Sequence, residues 1–267
     1  MRVLAVDWSG SLTGAKARTW LAEAVDPGHL EHLAPVHGND LVSMLFSRDS
    51  QTVLGLDFAF AFPAWFMHQL GCQTAHDLWR LAAEAGEGWL LRCDPPFWGR
   101  PGRPRPLDDG LALRALPALR RTELQVPSRP KSVFQIGGAG SVGTGSIRGM
   151  PLLLALHEAG AHIWPFDPPG GPLVLEIYPR LLTGPVNKSD PSAREAFLRA
   201  RYPDLDRLHF DAAAASEDAF DAAVSALVML AHRDDLSALP DESDALMRLE
   251  GRIWHPYWRA EVRLTAS

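Results

Sequence analysis

Val3-Leu-Ala-Val-Asp7, followed by Trp8-Ser-Gly10, is a short apolar run closed by a carboxylate and then broken by turn-forming residues. Such a run before a turn reads as a buried strand. An ionised carboxylate at the mouth of that strand is costly to desolvate without a partner. The chain repeats the arrangement. Val53-Leu-Gly-Leu-Asp57 and Leu173-Val-Leu-Glu176 are also apolar runs ending in an acid, and Glu217-Asp-Ala-Phe-Asp221 places further acids at the start of an apolar helical stretch. Repeated desolvated carboxylates demand cations, and a divalent metal with a preference for oxygen ligands is the economical answer.

Outward from these strands, the chain gives a mixed order of elements. Ser9, Gly10 and Gly14 punctuate the turn to a second strand, Thr19 to Val25, and Pro27-Gly28 marks the reversal to a third, His32 to Val36. Asn39-Asp40 caps a short helix over Leu41 to Phe46, ahead of the strand that ends at Asp57. Pro63 opens an aromatic helix and Thr74 caps another over Ala75 to Ala85. A Pro/Arg-rich stretch and a Gly-rich loop lead to a helix near Met150 to Ala159 and to the strand ending at Glu176. Ser192 then caps a helix over Ala193 to Ala200, and Ser216 caps a longer one reaching about His232. Asp218 and Asp221 stand three apart and share one face of that last helix's first turn. The expectation is one α/β domain over residues 1–267, a mixed sheet flanked by helices, with a long insertion after the fourth strand at about residues 87–150.

Composition agrees with a globular enzyme: 267 residues, 46% of them hydrophobic, can close a sizeable core. The opening apolar run is too short for a signal peptide, and no stretch approaches the roughly 18 apolar residues of a membrane span. A cytoplasmic protein that avoids membranes is expected. Cys72 and Cys93 are the only cysteines, without a Cys-x-x-Cys pair, so reduced thiols are expected rather than a disulfide framework or thiolate zinc site.

The formal net charge of -6 is unevenly spread. Residues 92 to 131 carry nine basic side chains, among them Arg103, Arg105, Arg114, Arg120, Arg129 and Lys131, against Asp94, Asp108, Asp109 and Glu123. That is a local net of +5, leaving -11 for the other 227 residues. With Phe97 and Trp98 beside it, this segment can track a phosphate backbone while the rings stack on bases. It also reads as a solvated, Pro-stiffened loop whose arginines pair with surface carboxylates.

The insertion ends in Gly137-Gly-Ala-Gly-Ser-Val-Gly143-Thr-Gly-Ser146, which contains Gly138-x-Gly140-x-x-Gly143. If a strand precedes it and a helix follows, it can serve as a dinucleotide-binding turn of an oxidoreductase, with Asp167 as the distant acid. Against this, Pro165 interrupts the strand that should present the acid. A different reading gives the loop amides, with Lys131, Ser141, Thr144, Ser146 and Arg148, a substrate phosphate beside the metals. His157-Glu-Ala-Gly-Ala-His162 is only superficially a zinc helix, because five residues put its histidines half a turn apart. The aromatic tail around Trp254, His255 and Trp258 reads as core packing.

Val6-Asp7-Trp-Ser-Gly10, Gly55-Leu-Asp57-Phe-Ala59, Glu176-Ile-Tyr-Pro179, Asp218-Ala-Phe-Asp221-Ala and Glu250-Gly-Arg-Ile-Trp-His-Pro256 occur in this order over nearly the whole chain. Together they resemble the RNase H-like fold, and within it the predicted nucleases of domain-of-unknown-function family 429. Asp218 and Asp221 also resemble the last two carboxylates of Holliday-junction resolvases, from which the chain departs in having Asp57 in place of a glutamate and in its long insertion. The resemblance implies cleavage of nucleic acid by two Mg2+ or Mn2+ ions about 4 Å apart, one activating water and the other stabilising the leaving oxygen. Asp7 would bridge, Asp57 and Asp221 would complete the two ligand shells, and Asp218 or Glu176 would be a further ligand or orient water. A non-catalytic nucleic-acid or nucleotide binder, or a kinase-like phosphotransferase, would keep the same framework without nuclease turnover. The sequence leaves the type of nucleic acid open, and the oligomeric state too, a homodimer included.

Each carboxylate also has a structural role open to it. Asp7 can start the turn, Asp57 can accept nearby backbone amides, and Asp218 and Asp221 suit the positive end of a helix dipole. Glu176 can pair with Arg180 or another arginine.

Overall fold

The computed structural model describes residues 1–11, 19–47, 50–105, 117–128, 130–256 and 258. Strands β1 (Arg2–Asp7), β2 (Trp20–Ala24) and β3 (His32–Pro35) form an antiparallel meander, and β4 (Thr52–Leu56) joins the other edge of β1 in parallel. Beyond β4 lies β6 (Leu173–Ile177), also parallel. Its far edge is shared end to end by β5 (His162–Trp164) and β7 (Ile253–Trp254). The sheet is mixed, mostly parallel and flanked by helices on both faces, as expected for an α/β chain.

Strand alternation divides the core. Leu4, Val6, Leu54, Leu56 and Val174 point to one face, where they meet α1 (Asp40–Phe46), α2 (Ala64–Gln69), α3 (Ala75–Arg92) and α5 (Gly143–Glu158). Val3, Ala5, Val53, Leu173, Leu175 and Ile177 point to the other. That second face is covered by α6 (Pro179–Thr183), α7 (Pro191–Arg201), α8 (Arg207–Ala215), α9 (Glu217–Ala231) and α10 (Arg233–Ser237). Helix α9 lies directly on the sheet. A Cβ on Gly55 would fall 2.7 Å from Met229 Sδ, so a glycine in β4 is what permits the approach.

Several boundaries differ from the sequence expectation. The Thr74 hydroxyl accepts from Asp77 N–H while the Asp77 carboxylate accepts from Thr74 N–H, a reciprocal cap that starts α3 where expected. The helix runs on to Arg92, through Gly86, which costs about 1 kcal/mol of helix propensity. A Cβ there would lie 2.8 Å from Ile147, so the glycine lets α5 pack close. Helix α5 in turn starts at Gly143 rather than near Met150, absorbing the second half of the Gly-rich stretch. The insertion therefore contributes core. Phe97 is buried against Phe62, Phe66, Trp89 and Phe134, so the expectation that it stacks on bases is corrected.

Strands β5 and β7, helix α8 and the short helices α4 (Arg121–Gln125), α6, α10 and α11 (Ala245–Glu250) are not among the expected elements. Apart from α8, they are two or three residues of strand or five or six of helix, too few to show a period. The aromatic tail packs as expected: Trp254 and Trp258 are buried, the latter edge-on to Trp164. Cys72 and Cys93 are buried free thiols. Among the described residues no helix is long and apolar enough to cross a membrane.

Candidate carboxylate centre at the strand ends

Parity decides which acids meet. Asp7 continues the Val3–Ala5 side of β1, and Asp57 the Val53–Gly55 side of β4, so both turn toward α9. The Asp57 N–H donates to Val6 O at 3.1 Å, which holds the two strand ends side by side. Ser216 caps α9, its hydroxyl accepting from Ala219 N–H at 3.3 Å, and the first turn then delivers Asp218 and Asp221 to the same place. Burial first, then the charges of Asp57, Asp221 and Asp218, hold the Asp7 carboxyl well above the ordinary aspartate range. Asp57 is pushed up to about 8 by burial and by Asp221, and Asp221 to about 6 by burial, against the pull of Lys188.

Lys188 is the partner that the sequence reading missed. Its ammonium donates to Asp221 Oδ2. Burial works against the lysine's charge, but Asp221, Asp57 and Asp7 together outweigh it and hold its pKa above the usual value. The other oxygen of Asp221, Oδ1, is buried with no hydrogen-bond partner. A buried carboxylate oxygen without a donor is an expensive arrangement. It lies in an all-oxygen set whose members repel one another, which is the donor chemistry Mg2+ and Mn2+ favour. Tyr178 is half-buried beside this set; burial and the charge of Asp57 raise its phenol, which stays a neutral donor.

Glu176 belongs to a different group. It pairs in register with Leu56 and shares the parity of Val174, so it points to the face opposite Asp7 and Asp57. There both oxygens are taken. Arg120 Nη1 donates to Oε2 at 2.8 Å and Nη2 to Oε1 at 2.5 Å, while Phe60 N–H donates to Oε2 at 3.0 Å. Arg120 is itself 1% exposed and also grips Glu123 and the Glu250 carbonyl. The ligand role expected for Glu176 is therefore replaced by a buried ion network, formed with Arg120 and not with Arg180, whose guanidinium donates to Val186 O.

A cleft of about 930 Å³ opens over the strand ends. Asp57, Glu176 and Tyr178 form part of its floor, and Lys131, Gly140, Ser141, Thr144, Arg148 and Arg100 its walls. The Gly-rich segment is brought there by local contacts: Trp8 Nε1 donates to Gly145 O at 2.9 Å, and a Cβ on Gly10 would fall 2.4 Å from Gly145 Cα. Gly138 and Gly140 have φ of +79° and +68°, conformations that L side chains rarely adopt. Gly143 is buried, packed against Val133 O, and faces no ligand space. Ser146 is structural too, accepting from Ala59 N–H and donating to Val142 O. Thr144 donates to Ile136 O, and Arg148 is held by Glu87 and Gly10 O, which leaves Lys131, Ser141 and Arg100 as the cleft's more available polar groups. The dinucleotide reading needs a strand before the glycines; the chain has a single bridge there, between Trp98 and Gln135.

The basic segment is not one stripe. Arg120 is core, Arg121 pairs with Asp244, Arg92 and Arg103 face Asp94, and Arg105 lies over the Trp98 ring at 5.3 Å. Arg114, Arg129, Asp108 and Asp109 fall outside the described residues, as do Gly14 and Tyr257. Comparison of the chain with family models, with curated proteins and with solved structures returned no match.

Proposed function

We propose that this chain is a divalent-metal-dependent phosphodiesterase acting on nucleic acid, built on an RNase H-like framework related to domain-of-unknown-function family 429. The single observation that carries the reading is the convergence of Asp7, Asp57, Asp218 and Asp221, from two adjacent parallel strands and one helix, on a place where burial and mutual repulsion hold three of them above their ordinary pKa. The order of elements that the resemblance calls for, a meander, a parallel fourth strand and a closing acidic helix, supports it. Asp7, Asp57 and Asp221 would hold Mg2+ or Mn2+, with Asp218 beside them, and Asp221 Oδ1 supplies an oxygen with no competing donor. Bound there, the metal would supply charge stabilisation for a phosphoryl group and a nucleophilic water at neutral pH.

The chain's own residues do the remainder. Lys188 must release Asp221 for that carboxylate to ligate with both oxygens. Lys131 and Arg100 line the cleft that Asp57 also lines, and their positive charge there would orient a phosphate backbone. Gly140 takes the positive φ that turns the loop beside the Lys131 stem. The Glu176–Arg120–Glu123 network holds part of the cleft floor.

The test is cleavage of single-stranded, duplex, hybrid and junction substrates with Mg2+ or Mn2+, together with calorimetric Mn2+ titration of wild type, Asp7→Asn and Asp221→Asn. Wild type should bind and cleave, while both variants stay folded and lose both properties. Undiminished cleavage by Asp7→Asn, or wild-type Mn2+ affinity in both variants, would sink the proposal.

A further inference from the structure

In the sequence, His157 is half of a superficial zinc helix, and Asp167 is the distant acid of the dinucleotide reading. The fold gives both a different partner. His76, near the start of α3, His157, near the end of α5, and Asp167, after β5, meet at one point although they lie far apart in the chain. His76 Nε2 is 3.1 Å from Asp167 Oδ1, and His157 Nδ1 is 3.1 Å from Oδ2. The imidazole rings lie 4.1 Å apart between centroids. Among the described residues this is the trio of His, Cys, Asp or Glu whose ligand atoms all fall within 4.8 Å of one another; the carboxylates around Lys188 are spread more widely. None of the three lines the carboxylate cleft.

We propose that His76, His157 and Asp167 form a second metal site, selective for a borderline transition-metal ion of the Zn2+ class. Two imidazole nitrogens and one carboxylate are a donor set that suits Zn2+ and disfavours Mg2+. The donors lie within reach of one ion: one ligand atom from each residue falls within 4.8 Å of the other two, and each imidazole nitrogen is 3.1 Å from its own oxygen of Asp167. A tetrahedron with bonds of about 2.0–2.1 Å has edges of roughly 3.3 Å, so loading needs only a modest shift that brings one carboxylate oxygen to both nitrogens. Ile163 N–H donates to Asp167 Oδ2 at 2.9 Å and fixes the carboxylate, the outer-shell support that metal-binding acids use. Trp79 packs edge-on to His76 at 4.9 Å and fixes that ring. All three ligands are partly buried, and three protein donors would leave a fourth coordination position for a ligand from outside the chain. An ion here would tie two helices to the connection between β5 and β6.

Metal-free, the same atoms form a plain histidine–aspartate–histidine hydrogen-bonded bridge, so the experiment must separate the two. The full chain, stripped with chelator and held in excess Mg2+, is titrated with Zn2+ against a competing chromophoric chelator, alongside His157→Gln, His76→Asn and Asp57→Asn. Gln at 157 keeps a donor for Asp167, and melting temperatures in chelator control for folding. One equivalent of Zn2+ should bind to wild type and to Asp57→Asn. Both histidine variants should lose affinity by more than the roughly 10–100-fold that removal of an orienting partner costs. Zn2+ should raise the melting temperature of wild type and not of His157→Gln. No stoichiometric binding by wild type, equal affinity in the histidine variants, or loss confined to Asp57→Asn would each overturn the proposal.

Discussion

Asp57→Asn should make the metal-free protein more stable. Asp57 ordinarily ionises at 3.8 and here at about 8, so between those values the folded chain holds a proton that the unfolded chain has lost. The unfolded state then binds fewer protons, and stability falls as pH rises from about 4 to about 8. At about 1.36 kcal/mol per pH unit, four units amount to roughly 5–6 kcal/mol lost by pH 8. Asparagine removes the charge but leaves a polar amide in the same place, so a net gain on the order of 2–4 kcal/mol is expected at pH 8.5. For a chain of this size that is a rise in Tm of roughly 4–7 °C. The assay is thermal unfolding in chelator from pH 5 to 8.5, where the gap between variant and wild type should be near zero at the acid end and open steadily. Mn2+ should then stabilise wild type and leave the variant unmoved. A variant no more stable than wild type at pH 8.5, or a gap that does not change with pH, would refute the reasoning.

The same protons should appear in the binding reaction. With a pKa of about 8, Asp57 is roughly nine-tenths protonated at pH 7, so Mn2+ binding should release about one proton or more and tighten about tenfold per pH unit below 8; calorimetry in two buffers of different ionisation heat checks this, and a buffer-independent heat would count against it. Arg120→Met strands Glu123 and Glu176 as buried acids and should cost about 3–5 kcal/mol by urea unfolding. A loss under 1 kcal/mol would mean the network is not what holds the floor. Arg103→Glu with Arg105→Glu should weaken oligonucleotide binding and flatten its dependence on log salt by roughly 1–2. Unchanged affinity would make this stretch a solvated loop.

How much was legible follows from physical range. Strands β1 and β4, and α9 with its serine cap, announce themselves locally, because alternation, apolar runs and capping residues act over a few neighbours. That Asp7 and Asp57 share one place needs only strand parity and the adjacency of β1 and β4, and Asp221 joins them because α9 packs on that face. Glu176 shows the limit. Its side of the sheet is set by its register against Leu56, a pairing between residues 120 apart, and no local pattern carries that. Arg120 sat within a basic stretch that looked solvated, yet it is core because Glu176, 56 residues away, joins the nearby Glu123 around its guanidinium. Lys188 in Val186-Asn-Lys-Ser189 has no neighbour that marks it. The meeting of His76, His157 and Asp167 is likewise a product of how α3 packs on α5, through the approach that Gly86 allows.

The ammonium of Lys188 has a consequence for the life history of the chain. It is an internal placeholder, a cation carried by the polypeptide that arrives with the fold and needs no supply from the surroundings. A cluster of acids that depended wholly on a free ion would keep the chain unfolded until that ion came, as structural metal domains do. On the proposed metal reading, Lys188 would make assembly and loading separate events: a newly made chain would reach its native shape in scarcity and wait there, and chelation would return it to that resting form instead of dismantling it.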